Sequence, residues 1–228
     1  MRLVCISDTH MCEPSLPEGD VLIHSGDLTF RGNPMELGSQ RLWLSRQTER
    51  YKKIIITPGN HDWGFEKQFH RYKEEFEAAG ITVLNNSGLE FEGVKFWGSP
   101  VSPRFCDWAF NRERGEDIRR YWDIIPEDTN VLITHCPPYG ILDTVKEADK
   151  IVGYDEYYQA IWAKGERRVG CEELIIRIRQ QLKSLKCHIF GHIHDGHGEH
   201  FEFGIKFINA SVLNDLYKNV HKPIIVEM

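Results

Sequence analysis

The chain has 228 residues, a length compatible with one domain spanning 1–228 and long enough to bury roughly 70–75% of its unfolded surface without staples. Hydrophobic residues make up 41% and charged residues 27%, which excludes a disordered chain, a collagen-like chain and a membrane-spanning one. Thirty-four acidic against 28 basic residues give a net charge of −6, so extended nucleic-acid binding is not expected.

In chain order, the apolar runs Leu3–Ile6 and Val21–Ile23 come first, followed by an amphipathic stretch over about 35–50. Ile54–Ile56 precedes a second stretch over about 65–79, and Ile81–Leu84 opens a segment that reads differently. There, 81–98 holds two or three successive strands joined by Asn-Asn-Ser-Gly and Glu-Gly turns, the pattern of hairpins. A third amphipathic stretch, 113–123, leads to Val131–Ile133. Region 136–169 is poorly patterned and is expected to be a long functional or flexible loop. A fourth stretch, 171–185, carries Leu174, Ile175, Ile178, Leu182 and Leu185 at helical spacing. His188–Phe190, a hairpin signal at 199–210 that includes Ile205–Ile208, and Ile224–Val226 complete the list. Short β-branched runs alternating with amphipathic stretches predict an α/β fold with mixed sheets.

The six cysteines are scattered and include no C-x-x-C pair, so we expect reduced thiols in a cytoplasmic protein. The N-terminus, MRLVCISDTH, has no signal-peptide core, and nowhere do 18 apolar residues run together. We expect neither export nor contact with a membrane.

The chemistry-bearing residues fall at strand ends. Asp8 and His10 follow Leu3–Ile6, Asp27 follows Val21–Ile23, and Asn60, His61 and Asp62 follow Ile54–Ile56. His135 follows Val131–Ile133, and His192 and His194 follow His188–Phe190. In open α/β sheets, ligands bind beyond the carboxyl ends of the strands, where these groups would converge. Gly26, Gly59 and Gly191 each precede one of them, where a tight turn suits a residue without a side chain. Any one such Asp or His is an ordinary turn former, but five coincidences argue for a site. Imidazole, carboxylate and amide oxygen without thiolate suit divalent Mn, Fe, Zn or Co, with Mn favoured. Seven such ligands suit two ions about 3.5–4 Å apart, the device used for displacement at phosphorus.

The series Asp8-x-His10, Gly26-Asp27, Gly59-Asn60-His61-Asp62, His135 and Gly191-His192-Ile193-His194 resembles the calcineurin-like metallophosphoesterase superfamily. Arg2–His10, Gly98–Asn111, Thr134–Gly140, Arg168–Leu174 and Ile208–Ser211 further resemble its small metallophosphoesterase-domain-containing branch, which includes cyclic-nucleotide and general phosphodiesterases. The resemblance implies a two-sheet β-sandwich flanked by helices, with the site at the strands' carboxyl ends. It implies Asp8, His10 and His194 as ligands of one ion, Asn60, His135 and His192 as ligands of the other, and Asp27 as the bridge. It leaves His61 to face the substrate and protonate the leaving alkoxide, with Asp62 orienting its ring.

The substrate side is expected in 96–111, where Trp97, Phe105, Trp108 and Phe110 could form a stacking wall with Arg104 and Asn111. Cys136 reads as a small buried residue, His24 and His188 as core histidines or supports behind the ligands, His197 and His200 as rim or turn residues, and Lys164–Arg168 as a solvated turn. The implied function is hydrolysis of a small phosphoester, a nucleotide-type diester being the first choice. A nuclease, a phosphoprotein phosphatase and a non-catalytic nucleotide-binding protein remain open at this point, as does the oligomeric state.

Overall fold

The computed structural model describes residues 1–154 and 160–228, with 147–154 and 160–164 described as backbone only. Its elements are β1 (Arg2–Ile6), β2 (Val21–His24), α1 (Pro34–Arg46), β3 (Lys53–Ile56), α2 (Trp63–Lys67), α3 (Phe69–Glu77), β4 (Ile81–Val83), β5 (Ser87–Phe91) and β6 (Val94–Ser99). The chain continues through the short pair β7 (Ser102–Pro103) and β8 (Asn111–Arg112), then α4 (Glu116–Asp123) and β9 (Val131–Thr134). After β10 (Thr144–Tyr154) and β11 (Ala160–Arg168) come α5 (Glu172–Gln181), β12 (Cys187–Phe190), β13 (Gly198–Glu202), β14 (Ile205–Asn209) and β15 (Ile224–Glu227). No helix among the described residues is long and apolar enough to cross a membrane.

Two sheets stack. One runs β15-β1-β2-β3-β4, parallel except for β15, and the other runs β13-β14-β12-β9-β6-β5, with antiparallel strands only at its edges. Side chains alternate across each strand, so both sheet faces must be covered. Leu3, Cys5, Val21, Ile23 and Ile55 of the first sheet meet Phe96, Val131, Ile133, Ile189 and Ile208 of the second in the inner layer. Their neighbours Val4, Ile6, Leu22, Ile54 and Ile56 face outward onto Leu37 and Leu44 of α1 and Tyr72 and Phe76 of α3. On the far side, Leu132, Phe190 and Phe207 pack on Ile118 and Trp122 of α4 and Leu174 and Ile178 of α5. The result is a helix-sheet-sheet-helix sandwich.

Local chemistry agrees with this arrangement. Asn33 caps α1, its side-chain oxygen accepting from the backbone N–H groups of Met35 and Glu36 at 3.0 Å each, and Pro34 supplies the first turn. The turns Glu92-Gly93 and Phe203-Gly204 have φ values of 47° and 77°, and 55° and 77°, which suits the tight hairpins β5-β6 and β13-β14.

Two expectations need correction. The segment 81–98 is not one run of hairpins, because β4 joins the first sheet beside β3 while β5 and β6 belong to the second. Region 136–169 is not a loop throughout, since within its described residues β10 and β11 pair as an antiparallel ribbon whose register shifts twice. Those irregularities explain its weak periodicity in sequence. Asp143 ties the ribbon's base, accepting from the N–H groups of Gly140 at 2.9 Å and Gly170 at 3.0 Å.

His188 sits on the outer face of β12, fully buried, and its Nε2 donates to the Thr134 hydroxyl at 2.8 Å, whose own proton goes to the Cys136 carbonyl. Its Nδ1 has no partner, and burial lowers the imidazole to about 3. The fold therefore prefers the neutral ring, and the unfolded chain takes up the extra proton as pH falls below about 6.5. Stability should fall by about 1.4 kcal/mol per pH unit per such histidine from about pH 6 toward the folded value. His188→Phe should flatten that slope in urea titrations between pH 7 and 5, run with chelator present. An unchanged slope would show that His188 is not held neutral.

Candidate metal centre

The parallel strands of both sheets deliver their loops to one edge. The backbone N–H of Val212, beyond β14, donates to the Ser7 carbonyl at 3.0 Å, and that of Gly191 donates to the His135 carbonyl at 3.1 Å. Reversal at the strand ends is abrupt: Asp8, His10, Asp27 and His192 have φ values of 52°, 39°, 56° and 72°. Four non-glycine residues in the left-handed region carry a conformational cost that the surrounding contacts must offset, a recurrent feature of functional sites. Gly26 shares that conformation at φ 111°. Gly59 and Gly191 serve a different purpose, because a Cβ would meet Asp27 Oδ1 at 2.3 Å in one case and Asp8 Oδ2 at 2.1 Å in the other. Their role is close approach, not a turn.

Asp8, His10 and His194 converge, and so do Asp27, His135 and His192, each trio with donor atoms within 4.8 Å of one another. Asn60 joins the second trio, its Oδ1 lying 2.8 Å from His135 Nε2. Asp27 Oδ2 stands between the two, 3.3 Å from His135 Nε2 and 3.7 Å from His10 Nε2. It is also 4.0 Å from His61 Nε2, and His10, Asp27 and His61 form a third grouping of the same tightness.

The imidazoles are aimed. Nδ1 of His10, His135, His194 and His61 pairs with the backbone carbonyls of Thr29, Ser25, Asn214 and Phe30 at 3.0, 3.0, 3.1 and 2.8 Å. A carbonyl can only accept, so Nδ1 donates in each case and Nε2 turns toward the centre, as in metal-ligating histidines. His10 Nε2 is buried and has no hydrogen-bond partner, which suits a lone pair meant for a cation. Asp8 is fixed by the Ser211 hydroxyl at 2.6 Å and the His192 backbone N–H at 3.0 Å. The thiols stay out of this chemistry: Cys136 is a buried packing residue, and burial raises Cys171 and Cys187 to about 12. The donor set therefore fits borderline divalent cations.

Burial alone would raise both carboxyls and lower the imidazoles. Opposing charges reverse this for Asp8, Asp27, His135 and His194, whereas burial keeps His10 and His192 lowered, His192 to about 4. The histidines around them hold Asp8 and Asp27 well below the usual carboxylate range, and Asp27 raises His135 to about 9 while Asp8 raises His194 to about 9. A cation entering either trio must displace those protons. Apparent metal affinity should therefore fall about tenfold per pH unit for each displaced proton below about pH 9. Calorimetry of metal uptake at pH 7, compared across buffers of different ionisation enthalpy, should give about two protons released when both sites fill. Release near zero would remove His135 and His194 from the ligand set.

Asp62 does not orient the His61 ring, contrary to expectation. Its buried carboxylate accepts from the N–H groups of Gly59, Leu28 and Thr29 at 2.8, 3.2 and 3.0 Å and from the Thr29 hydroxyl at 2.7 Å. It ties the loop after β2 to the loop after β3, and with them Asp27 to Asn60. Burial, then the charge of Asp27, raises it to about 6. The Phe30 carbonyl orients His61 instead, and the His61 backbone N–H donates to Asp27 Oδ1 at 2.8 Å.

An open cleft of about 310 Å³ lies over Asp27, Asn60, His61, His192 and His194. The expected aromatic wall is half present. Phe105 and Trp108 line the cleft, whereas Phe110 is buried in the outer core and Trp97 packs beside α4 and α5. Trp108 lies against His61, with ring centroids 4.1 Å apart and planes inclined by 31°. Arg104 and Asn111 do not face the cleft. Arg104 pairs with Glu113, and Asn111 donates to the Phe105 and Cys106 carbonyls, bracing the loop that carries the aromatics. His24, whose Nε2 meets the Thr9 hydroxyl at 2.9 Å, is a buried neutral support lowered to about 3. His197 stacks on His221 at 4.3 Å, and exposed His200 lies 3.4 Å from Glu202.

Sequence reasoning missed Phe30, Asp215 and Tyr217. Tyr217 lines the cleft and meets His10 and His194 edge-on, with ring centroids at 4.9 and 5.2 Å. Phe30 stacks on His10 at 5.4 Å. Both lie in loops without periodicity, and no spacing in the sequence marks them.

A model of the calcineurin-like phosphoesterase family matches residues 1–196. Metallophosphoesterase domain-containing protein 1 of Homo sapiens is 33% identical over 250 residues, covering 100% of this chain and 71% of that protein. A UPF0046 protein of Caenorhabditis elegans is 32% identical over 239 residues, covering 99% of this chain and 74% of that protein. A family match across the centre built from both sheets, together with these relatives, shows that the chain belongs to the calcineurin-like phosphoesterase family.

Proposed function

We propose that the chain is a binuclear metal-dependent phosphodiesterase acting on small nucleotide-type or cyclic-nucleotide diesters. The observation that carries this reading is the position of Asp27 Oδ2, within 4.0 Å of imidazole nitrogens from both ligand trios and of His61. Asp8, His10 and His194 would hold one divalent cation and Asn60, His135 and His192 the other, with Asp27 shared; manganese is the first metal to try. Bound there, two cations supply Lewis acidity and an activated water for in-line displacement at phosphorus.

The chain's own residues complete the chemistry. His61 Nδ1–H donates a hydrogen bond to the Phe30 carbonyl, so Nε2 is the atom that meets the substrate and carries a proton to the leaving alkoxide. Trp108 covers one face of that ring and, with Phe105 and Tyr217, offers aromatic surface to a base. A nuclease reading is weaker, because the chain is acidic overall. The six free cysteines are compatible with a cytoplasmic location.

Asp27→Ala should lose both ions and all activity, whereas Asn60→Ala should spare the ion held by Asp8, His10 and His194. Metal analysis decides, and two ions retained in Asp27→Ala would sink the shared assignment. His61→Ala should keep both ions and slow diester hydrolysis by about 10²–10⁴-fold, less for a p-nitrophenolate leaving group than for an alkoxide. Loss of a metal in that variant would instead place His61 among the ligands, as its distance from Asp27 allows.

Because Trp108 touches His61, Trp108→Ala should show two effects. KM for a nucleotide diester should rise by about 5–100-fold, from a stacking contribution of roughly 1–3 kcal/mol. Turnover of esters with poor leaving groups should fall as well, through the displaced imidazole. A variant with neither change would make Trp108 a packing residue.

A further inference from the structure

The charges facing the phosphoester decide which ester the cleft takes. On the side away from the ligand trios, the cleft is walled by Phe105, Trp108, Val145, Ile193, Asp215 and Tyr217. Among the described residues, no lysine or arginine lines it. The nearby cations are committed to other partners. Arg104 pairs with Glu113, Arg112 donates to the Tyr121 hydroxyl and the Asn111 carbonyl, and Arg114 donates to the Val169 and Gly170 carbonyls. Lys146 pairs with Asp195, the residue after His194, and its charge also reaches Asp215, whose carboxyl lies against that of Asp195. Among the described residues of this wall, Asp215 is the carboxylate that lines the cleft, and with Asp195 and Lys146 it forms a cluster of two acids and one ammonium that is negative overall.

We propose that Asp215 is a specificity-determining residue that selects singly charged phosphodiesters over doubly charged phosphomonoesters. The inference rests on the phosphodiesterase reading and deepens it. A phosphomonoester brings a second negative charge for which no guanidinium or ammonium among the described residues lines this wall, and the negative cluster at Asp215 adds repulsion. Across a cleft open to solvent, one additional unit of repulsion changes relative affinity about 3–10-fold. The same filter acts after the reaction. Hydrolysis turns a monoanionic diester into a dianionic monoester, which Asp215 repels, so the product leaves uncut. Removal of its remaining phosphate would then require a separate phosphomonoesterase.

The test uses the manganese-loaded full chain with bis(p-nitrophenyl) phosphate and p-nitrophenyl phosphate, which share a leaving group so that the contribution of His61 largely cancels. In Asp215→Asn, the diester-to-monoester ratio of kcat/KM should fall about 3–10-fold, and Asp215→Glu should keep the wild-type ratio. Binding gives a readout independent of turnover. By calorimetry at pH 8, inorganic phosphate should bind Asp215→Asn about 3–10-fold more tightly than wild type, dimethyl phosphate should gain less, and added salt should shrink the difference. An unchanged ratio with unchanged phosphate affinity overturns the filter even where diester hydrolysis is strong. Equal changes for both esters and both anions would make Asp215 a structural residue and overturn it too. Wild-type protein that hydrolyses no diester, yet shows the predicted gain in phosphate binding, would sink the phosphodiesterase reading while supporting the filter.

Discussion

The Asp27 carboxylate is the constraint on which the rest of the site depends. It is buried at the edge where two sheets meet, with one oxygen facing imidazoles from the loops after β1, β3 and β9. Its other oxygen accepts the His61 backbone N–H. A buried carboxylate is costly unless paired and hydrogen-bonded, and here each partner arrives from a different strand. Satisfying one group therefore fixes the relative position of several loops. The left-handed backbone at Asp8, His10, Asp27 and His192 is a consequence, since only abrupt reversals bring these side chains back over the strand ends.

Around that centre stands a shell of groups that carry no metal chemistry themselves. The Thr29, Ser25, Asn214 and Phe30 carbonyls fix four imidazoles, Ser211 fixes Asp8, and Asp62 fastens the loop of Asp27 to that of Asn60. These contacts set the ligand atoms before any cation arrives, so little reorganisation remains for binding. The fully buried aliphatic layers beneath make the strand ends rigid enough to serve as the platform. Function in the outer cleft is decided by different forces. Aromatic surface from Phe105, Trp108 and Tyr217 and the carboxylate of Asp215 line it, in place of the imidazoles of the centre.

The sequence by itself determined the layered α/β architecture, the buried strands and the seven groups that meet at the centre. Those were legible because each strand is a short β-branched run whose polar terminus breaks the apolar pattern, as in Ile54–Ile56 followed by Asn60 and His61. The division into ligands of two ions was implied only by resemblance, and the donor atoms gather as Asp8, His10 and His194, as Asp27, His135 and His192, and as His10, Asp27 and His61. Tertiary structure decided the rest. Ile81–Val83 looks like a hairpin partner for its neighbour, yet edge pairing with β3 sends it to the other sheet. Asp62, next in sequence to His61, turns away to satisfy three backbone N–H groups, because a buried carboxylate takes the strongest available donors whatever their distance along the chain. Trp97, Phe105, Trp108 and Phe110 are alike as residues, but packing buries Phe110 and leaves Phe105 and Trp108 to the cleft. Asp215 and Tyr217 gain their meaning only because the loop after β14 folds back beside His194, a contact between distant positions that local pattern does not encode.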